Sequence, residues 1–291
     1  QLPKLLAESW PTPKSEDLSD KAMLQRAVCR SIFFMVFGVW IDDDEAETLR
    51  GWRTLAPFFV LPRLVQRFAF NYGIKKVKDL RKKTVGIVQR HNLQDVFVGM
   101  NARLPSQYRR DPIVKLCDQI MYVLGFAGIG GTSACVESTC QFLQLRTGEV
   151  PKDKVDFSKY SSMEDMLQAY RANPFAFMKE TCRLDPPVTS ATSQVSEDME
   201  VEMGSTGVRL KIPTGFLRQY ALSLANRDEA VFKDPPLFDP TRSDLDKALT
   251  WNGQFDKGEG AYPRLCPGRY LSLQVAQAVV DRALVGRSGG P

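Results

Sequence analysis

Of the six cysteines in this chain, one constrains the fold most: Cys266, set between Arg264 and the step Pro267-Gly268-Arg269. Behind it Leu273, Ala276, Val280 and Leu284 recur at helical spacing, which predicts an amphipathic helix to Leu284 with a stripe to bury. A helix N-terminus carries partial positive charge and free N–H groups, and Arg264 and Arg269 add full charges; together they favour the thiolate of Cys266 over the thiol. A thiolate on a rigid helical base can ligate iron. On residue type alone the plainer reading is a small buried hydrophobe ahead of an ordinary helix. The choice therefore rests on what the chain carries upstream.

Asn173-Pro174 predicts a helix start and Asp185-Pro186-Pro187 its end, with Glu180 and Arg183 on one face between them at i, i+3. As an exposed pair these two are worth only about a few tenths of a kcal/mol. Beyond Val188 come Phe232-Lys233-Asp234-Pro235, then Phe238-Asp239-Pro240-Thr241-Arg242, then Trp251-Asn252-Gly253, whose Gly253 stands thirteen residues before Cys266. In this order and spacing the chain resembles the C-terminal half of a cytochrome P-450. It resembles more narrowly the hydroperoxide-rearranging branch, the allene oxide synthases and hydroperoxide lyases. The narrower likeness lies in Asn252-Gly253, the lengthened loop, and Arg264, Pro267, Gly268 and Arg269 around the cysteine. An ordinary superfamily loop carries Phe and Gly where Glu259 and Tyr262 stand.

The resemblance implies a mainly α, haem-thiolate fold with a small β portion, one domain over residues 1–291, matched most specifically over 111–284. It implies haem b (iron protoporphyrin IX), with Cys266 as the proximal iron ligand and Arg264, Gly268, Asn252 and Gly253 in the cofactor-binding loop. Glu180, Arg183 and Arg242 become a buried network that holds this loop, and Gly128, Gly131 and Thr132 wall the distal face. The family's N-terminal sheet and first helices, and its last strands, have no counterpart in the 291 residues. The chain is thus expected to be incomplete relative to the family.

Asp111-Pro112 predicts the start of a long apolar helix reaching about Leu145 and containing Gly125, Gly128, Gly130 and Gly131. Each interior glycine costs about 1 kcal/mol relative to alanine, so four need a compensating reason. A flat macrocycle against the backbone is one, because only a residue without a side chain allows that approach; a glycine loop between two short helices is the alternative. A phosphate-cradling loop is disfavoured, since no Gly-Lys-(Ser/Thr) follows. Against the family, Ala127 stands where the hydroperoxide branch has an asparagine near the iron. Gly130 stands where oxygen-activating members have an acid, and Thr132 is a neighbour of the usual threonine position. The first departure argues against the rearrangement reading, and the second more strongly against monooxygenation, because proton delivery to dioxygen loses its relay.

The remaining residues set limits. A net charge of +5 is too mild and dispersed for nucleic acid. The six cysteines show no CxxC pairing and read as reduced thiols of an intracellular or plastid compartment. His91, the only histidine, reads as a solvated residue, and its solitude argues against a Cys/His zinc site or a Ser-His triad. No apolar run reaches a membrane-spanning length of about 18 residues, Ile32–Trp40 being the longest candidate. Residues 1–20 read as irregular, Ser19-Asp20 as the cap of a helix ending at Gly38, and Asp42 to Glu45 as an acidic helix cap. Leu61 to Asn92 holds nine Lys/Arg and one acid, Asp79. That pattern reads as a solvated helix face or, over residues 58–90, as a patch for an anionic membrane surface. Val201 to Ile212 predicts a β-hairpin.

The function implied by the resemblance is conversion of a fatty-acid hydroperoxide without added electrons, in which ferric iron cleaves the O–O bond and the radical rearranges. A catalytically impaired scaffold, acting as a subunit of a larger and perhaps plastid-membrane assembly with protein partners over the incomplete faces, is the second reading. A conventional haem monooxygenase is the third.

Overall fold

Asp20 caps the first long helix as its position predicts. Its carboxylate accepts from Met23 N, and Gly38 ends the helix in the left-handed region at φ 72°. The computed structural model of the chain describes residues 1–52, 63–109, 124–147, 154–203, 207–257 and 265–285. In chain order the helices are α1 (Leu2–Ser9), α2 (Lys21–Phe37), α3 (Asp43–Arg50), α4 (Arg63–Arg90), α5 (Gln94–Arg103), α6 (Gly130–Leu143), α7 (Met163–Ala172), α8 (Pro174–Leu184), α9 (Leu222–Ala225) and α10 (Arg269–Leu284). The strands are β1 (Ser190–Gln194), β2 (Met199–Glu202), β3 (Arg209–Ile212), β4 (Leu217–Ala221), β5 (Leu249–Thr250) and β6 (Gly253–Gln254). The fold is mainly helical with a small β portion, and the chain divides into two compact units, Gln1–Gln144 with Pro267–Pro291, and Leu145–Cys266.

The first unit is built on α6 and α10, which pack on each other and on α2. In α10 the predicted stripe Leu273, Ala276, Val280 and Leu284 is buried, and Val275, Val279 and Ala283 are buried with it, so the helix is core on most of its surface. Residues 1–20, expected to be irregular, are instead α1 and a 3₁₀ turn over Ser15–Ser19. Pro3 lies in the first turn of α1, where its missing N–H costs nothing. Leu6 and Trp10 are buried, Trp10 Nε1 donates to Asp17 Oδ2 at 2.9 Å, and Arg282 Nε of α10 donates to the Trp10 carbonyl at 2.8 Å. Tertiary packing, not local propensity, orders this segment.

The acid of α3 does more than cap. Asp42 and Glu45 form the expected capping box. Glu45 is also buried, and its carboxylate meets Arg90 Nη1 at 2.7 Å and His91 Nε2 at 3.0 Å. His91 is therefore paired, not simply solvated. On α4, Lys75, Lys78, Arg81, Lys82 and Lys83 are exposed while Leu80, Thr84, Ile87 and Val88 are buried, the arrangement of a solvated helix face. Among the described residues no helix is long and apolar enough to cross a membrane; residues 58–62 lie outside them.

In the second unit, Ser162 and Asn173 cap α7 and α8, and α8 stops at Leu184 ahead of Asp185-Pro186-Pro187. Tyr170, Phe177 and Phe238 interlock between them with ring centroids 5.5 and 4.9 Å apart. The predicted hairpin is β2–β3, pairing Met199 with Ile212 and Glu202 with Arg209. β1 pairs antiparallel with β4, Ser190 opposite Ala221 and Gln194 opposite Leu217.

The docking of α1 has a measurable consequence. Trp10→Ala removes a buried indole and its bond to Asp17, and should lower stability by about 3–5 kcal/mol in urea denaturation. An unchanged midpoint would show that α1 does not dock.

Candidate functional site

The carboxylate of Glu180 is fully buried on α8, and four donors satisfy it. Arg183 Nε lies 2.7 Å from Oε2 and Arg183 Nη2 2.8 Å from Oε1; Arg242 Nη1 lies 3.2 Å and Asp239 N 3.0 Å from Oε1. Burial pushes the Glu180 carboxyl up from the ordinary carboxylate range, against the pull of Arg183, the Asp239 N–H and Arg242. Asp244 balances the second arginine through Arg242 Nε–Oδ1 at 2.5 Å. Both guanidinium groups lie over the ring of Phe232, at 5.1 and 5.5 Å from its centroid. The exposed-pair reading of Glu180 and Arg183 is thereby excluded, since both side chains are wholly buried.

Arg183 has further duties. Its Nη1 donates to the Asn226 carbonyl at 2.8 Å and its Nη2 to the Leu237 carbonyl at 3.2 Å. Asn226, itself fully buried, holds strand β5 at both backbone groups of Leu249: Leu249 N donates to Oδ1 at 2.7 Å, and Nδ2 donates to the Leu249 carbonyl at 3.0 Å. The strand turns back into β6 through Trp251 and Asn252, at φ 49° and 65°, with Thr250 opposite Gly253. Two successive positive φ values in a two-residue loop define a type I′ hairpin; Asn252, at its second position, tolerates the left-handed region, and Gly253 follows as the first residue of β6. The turn aims the Trp251 carbonyl at the cysteine loop, where it accepts from Cys266 N at 2.9 Å.

Cys266 is half-buried and not disulfide-bonded. Gly268 is the N-cap residue of α10, so the cysteine precedes the helix by a two-residue step, as its sequence implies. Arg269 is buried, its guanidinium 4.7 Å from the ring centroid of Tyr270. Of the predicted loop residues, Asn252 lies in the hairpin turn, Gly253 opens β6 and Gly268 is the helix cap; Arg264, with Glu259 and Tyr262, lies outside the described residues. Asn226 and Lys179 were not singled out from sequence. The only signal for Asn226 was its place in Ala225-Asn226-Arg227-Asp228.

The glycine-rich helix in the first unit differs from expectation in three respects. Leu124–Ile129 is π-helical and runs without a break into α6, so no glycine loop interrupts it; Asp111-Pro112 lies outside the described residues. Gly125 is explained by packing rather than by a macrocycle: a Cβ there would stand 2.9 Å from Trp52 Cβ and 3.3 Å from the Leu49 carbonyl oxygen. Thr132, assigned to a distal wall, is buried, and its hydroxyl bonds Ser272 Oγ of α10 at 2.9 Å. Gly128 and Gly131 remain without such a reason: a Cβ on Gly128 would meet only Leu124 Cδ1, at 3.6 Å, and one on Gly131 would meet nothing within 4 Å.

No protein-family model matches the sequence. Among curated proteins the chain is similar to cytochrome P450 family 716 subfamily AD polypeptide 2 of Citrus sinensis, 24% identical over 254 residues, covering 80% of this chain and 49% of that protein. It is also similar to beta-amyrin 28-monooxygenase of Panax ginseng, 23% identical over 270 residues, covering 84% and 53%. The chain thus spans about half the length of these relatives. Among solved structures it resembles cytochrome P450 CREJ in complex with (4-ethylphenyl) dihydrogen phosphate, with a TM-score of 0.61, 16% identity, and coverage of 97% of this chain and 62% of that one. The ligand-free cytochrome P450 TbtJ1 gives a TM-score of 0.58 at 17% identity, covering 98% and 72%. The curated relatives support the cytochrome P450 superfamily, and the structural likeness shows that fold. The narrower likeness to the hydroperoxide-rearranging branch is not carried by these relatives, which are other P450s.

P450 relatives imply a haem, and the donor chemistry fits one. Cys266 is not disulfide-bonded and its backbone N–H is held by the Trp251 carbonyl of the hairpin that Asn226 grips, and thiolate sulfur is a strong ligand for iron. The network itself is testable. Glu180→Ala strands two guanidinium groups in the interior and should cost about 3–5 kcal/mol, whereas removing an exposed partner in Glu164→Ala should cost under about 1 kcal/mol. Equal urea midpoints for the two variants would contradict the burial of the network.

Proposed function

We propose that the chain is the haem-thiolate portion of an enzyme that converts fatty-acid hydroperoxides without external electrons. Cys266 would hold the iron, and Gly268, Asn252 and Gly253 would shape the loop around it. The observation that carries this reading is the engagement of the Thr132 hydroxyl with Ser272, together with the absence of any acid from Gly128 to Thr132. Activation of dioxygen needs protons delivered to it, and this stretch offers no free hydroxyl or carboxyl for the task. A hydroperoxide arrives with its O–O bond already formed, so rearrangement needs neither a reductant nor that relay. A haem bound through a cysteinate supplies homolytic O–O cleavage. The chain's own part is to hold the sulfur in place through the bond from Cys266 N to the Trp251 carbonyl.

A second reading, monooxygenation, is favoured by the curated relatives, one of which is named as a monooxygenase. The two separate in one assay. The haem-loaded protein, incubated with a polyunsaturated fatty-acid hydroperoxide and no reductant, should remove the conjugated-diene absorbance, and Cys266→Ala should abolish both this activity and the thiolate-type spectrum of the reduced carbon monoxide complex. A protein inert to hydroperoxide that oxygenates substrate only with a reductase and dioxygen would establish the second reading instead.

A further inference from the structure

The cysteine loop is held by something the ionic network does not itself provide. Cys266 has its backbone fixed by the Trp251 carbonyl, so its position is set by where the β5–β6 hairpin sits. Two side chains place that hairpin. Asn226 grips Leu249 of β5 at both N–H and carbonyl, at 2.7 and 3.0 Å, as a neighbouring strand would, and is itself tied to Arg183 through its carbonyl. Lys179, next to Glu180 on α8, holds the other side of the hairpin: its Nζ lies 4.3 Å from the ring centroid of Phe255 and 2.7 Å from Asp256 Oδ2. Phe255 is buried and its ring meets Trp251 edge-on at 5.1 Å.

We propose that Asn226 and Lys179 are positioning residues for Cys266: two clamps, one seated on Arg183 and the other on α8 itself, that fix the hairpin and through the Trp251 carbonyl the place of the sulfur. This rests on the reading of Cys266 as the iron ligand, but its geometry belongs to the polypeptide alone. An amide that bonds both groups of one strand residue is stiff, because either bond lost leaves a buried backbone group unsatisfied. The Lys179 side chain is only slightly exposed and Phe255 is buried, so the attraction of the ammonium to the ring is little screened, while Asp256, half exposed, adds a weaker, solvent-screened contact.

The test compares Asn226→Ala, Lys179→Met and Lys179→Arg in the haem-free 291-residue chain, following alkylation of Cys266 by iodoacetamide through mass spectrometry of its peptide. Cys182 of α8, fully buried in the same unit as Cys266, is the internal control for folding. With Cys182 unreactive, Cys266 should alkylate about fivefold faster in Lys179→Met, the effect of one lost ion contact on loop opening, and at least as much faster in Asn226→Ala, which loses both bonds to Leu249. Lys179→Arg, which keeps a cation over the ring, should restore the wild-type rate. After haem loading, the same two loosened variants should show a smaller thiolate-type share of the carbon monoxide spectrum. Unchanged alkylation in Lys179→Met with Cys182 protected would overturn the proposal even if Asn226→Ala fails to fold. A haem spectrum unaffected by Cys266→Ala would instead defeat the ligand reading, while the alkylation rates still judge the clamps.

Discussion

The buried carboxylate of Glu180 is the interaction on which the second unit depends. Taking one carboxylate and two guanidinium groups out of water is expensive, and replacing such groups with apolar side chains is often neutral or stabilising. Their value here lies in geometry. The donors reach Glu180 from two segments: Arg183 from α8 itself, and the Asp239 N–H and Arg242 from the irregular stretch that follows Phe232. Few hydrophobic contacts can specify the path of a chain with so little regular structure, whereas directional bonds to one point can. The path matters because it leads to the hairpin, and the hairpin to Cys266.

The first unit solves a different problem. Its central helix must pack closely at Gly125 against Trp52, whose own indole N–H donates to the buried Thr84 Oγ1 of α4 at 3.0 Å. It must also meet α10 through small polar side chains, Thr132 to Ser272. Small residues allow such approach, and the π-helical turn at Leu124–Ile129 precedes the tightly buried part of α6. The cost of several glycines in one helix is thus assigned for Gly125 by its neighbours, and left for Gly128 and Gly131 to the unobstructed surface they create.

Much of this could be read from the residues. Caps at Asp20, Asp42, Ser162 and Asn173 act on the residues that follow them directly, so their local chemistry fixes helix starts without reference to the rest of the chain. Glu180, Arg183 and Arg242 were legible because their spacing resembles a family pattern; nothing in residue type alone distinguishes them from a solvated pair. What stayed hidden depends on distant partners. His91 meets Glu45 across 46 residues, and Asn226, a residue that ordinarily signals a turn, holds a strand of two residues. Strand β1, Ser-Ala-Thr-Ser-Gln, has no apolar alternation and is a strand only because β4 pairs with it. Prolines near the N-terminus read as breakers, although Pro3 is placed where a helix tolerates it.

Cys266, the proposed iron ligand, stands at the end of a chain of bonds that begins at Glu180. X-ray absorption at the iron edge of the haem-loaded protein tests this most directly. A sulfur scatterer should be present in the first shell of the wild type, absent in Cys266→Ala, and static disorder of the iron–sulfur distance should increase in Glu180→Gln. A wild-type iron shell made only of nitrogen and oxygen would contradict Cys266 as the ligand.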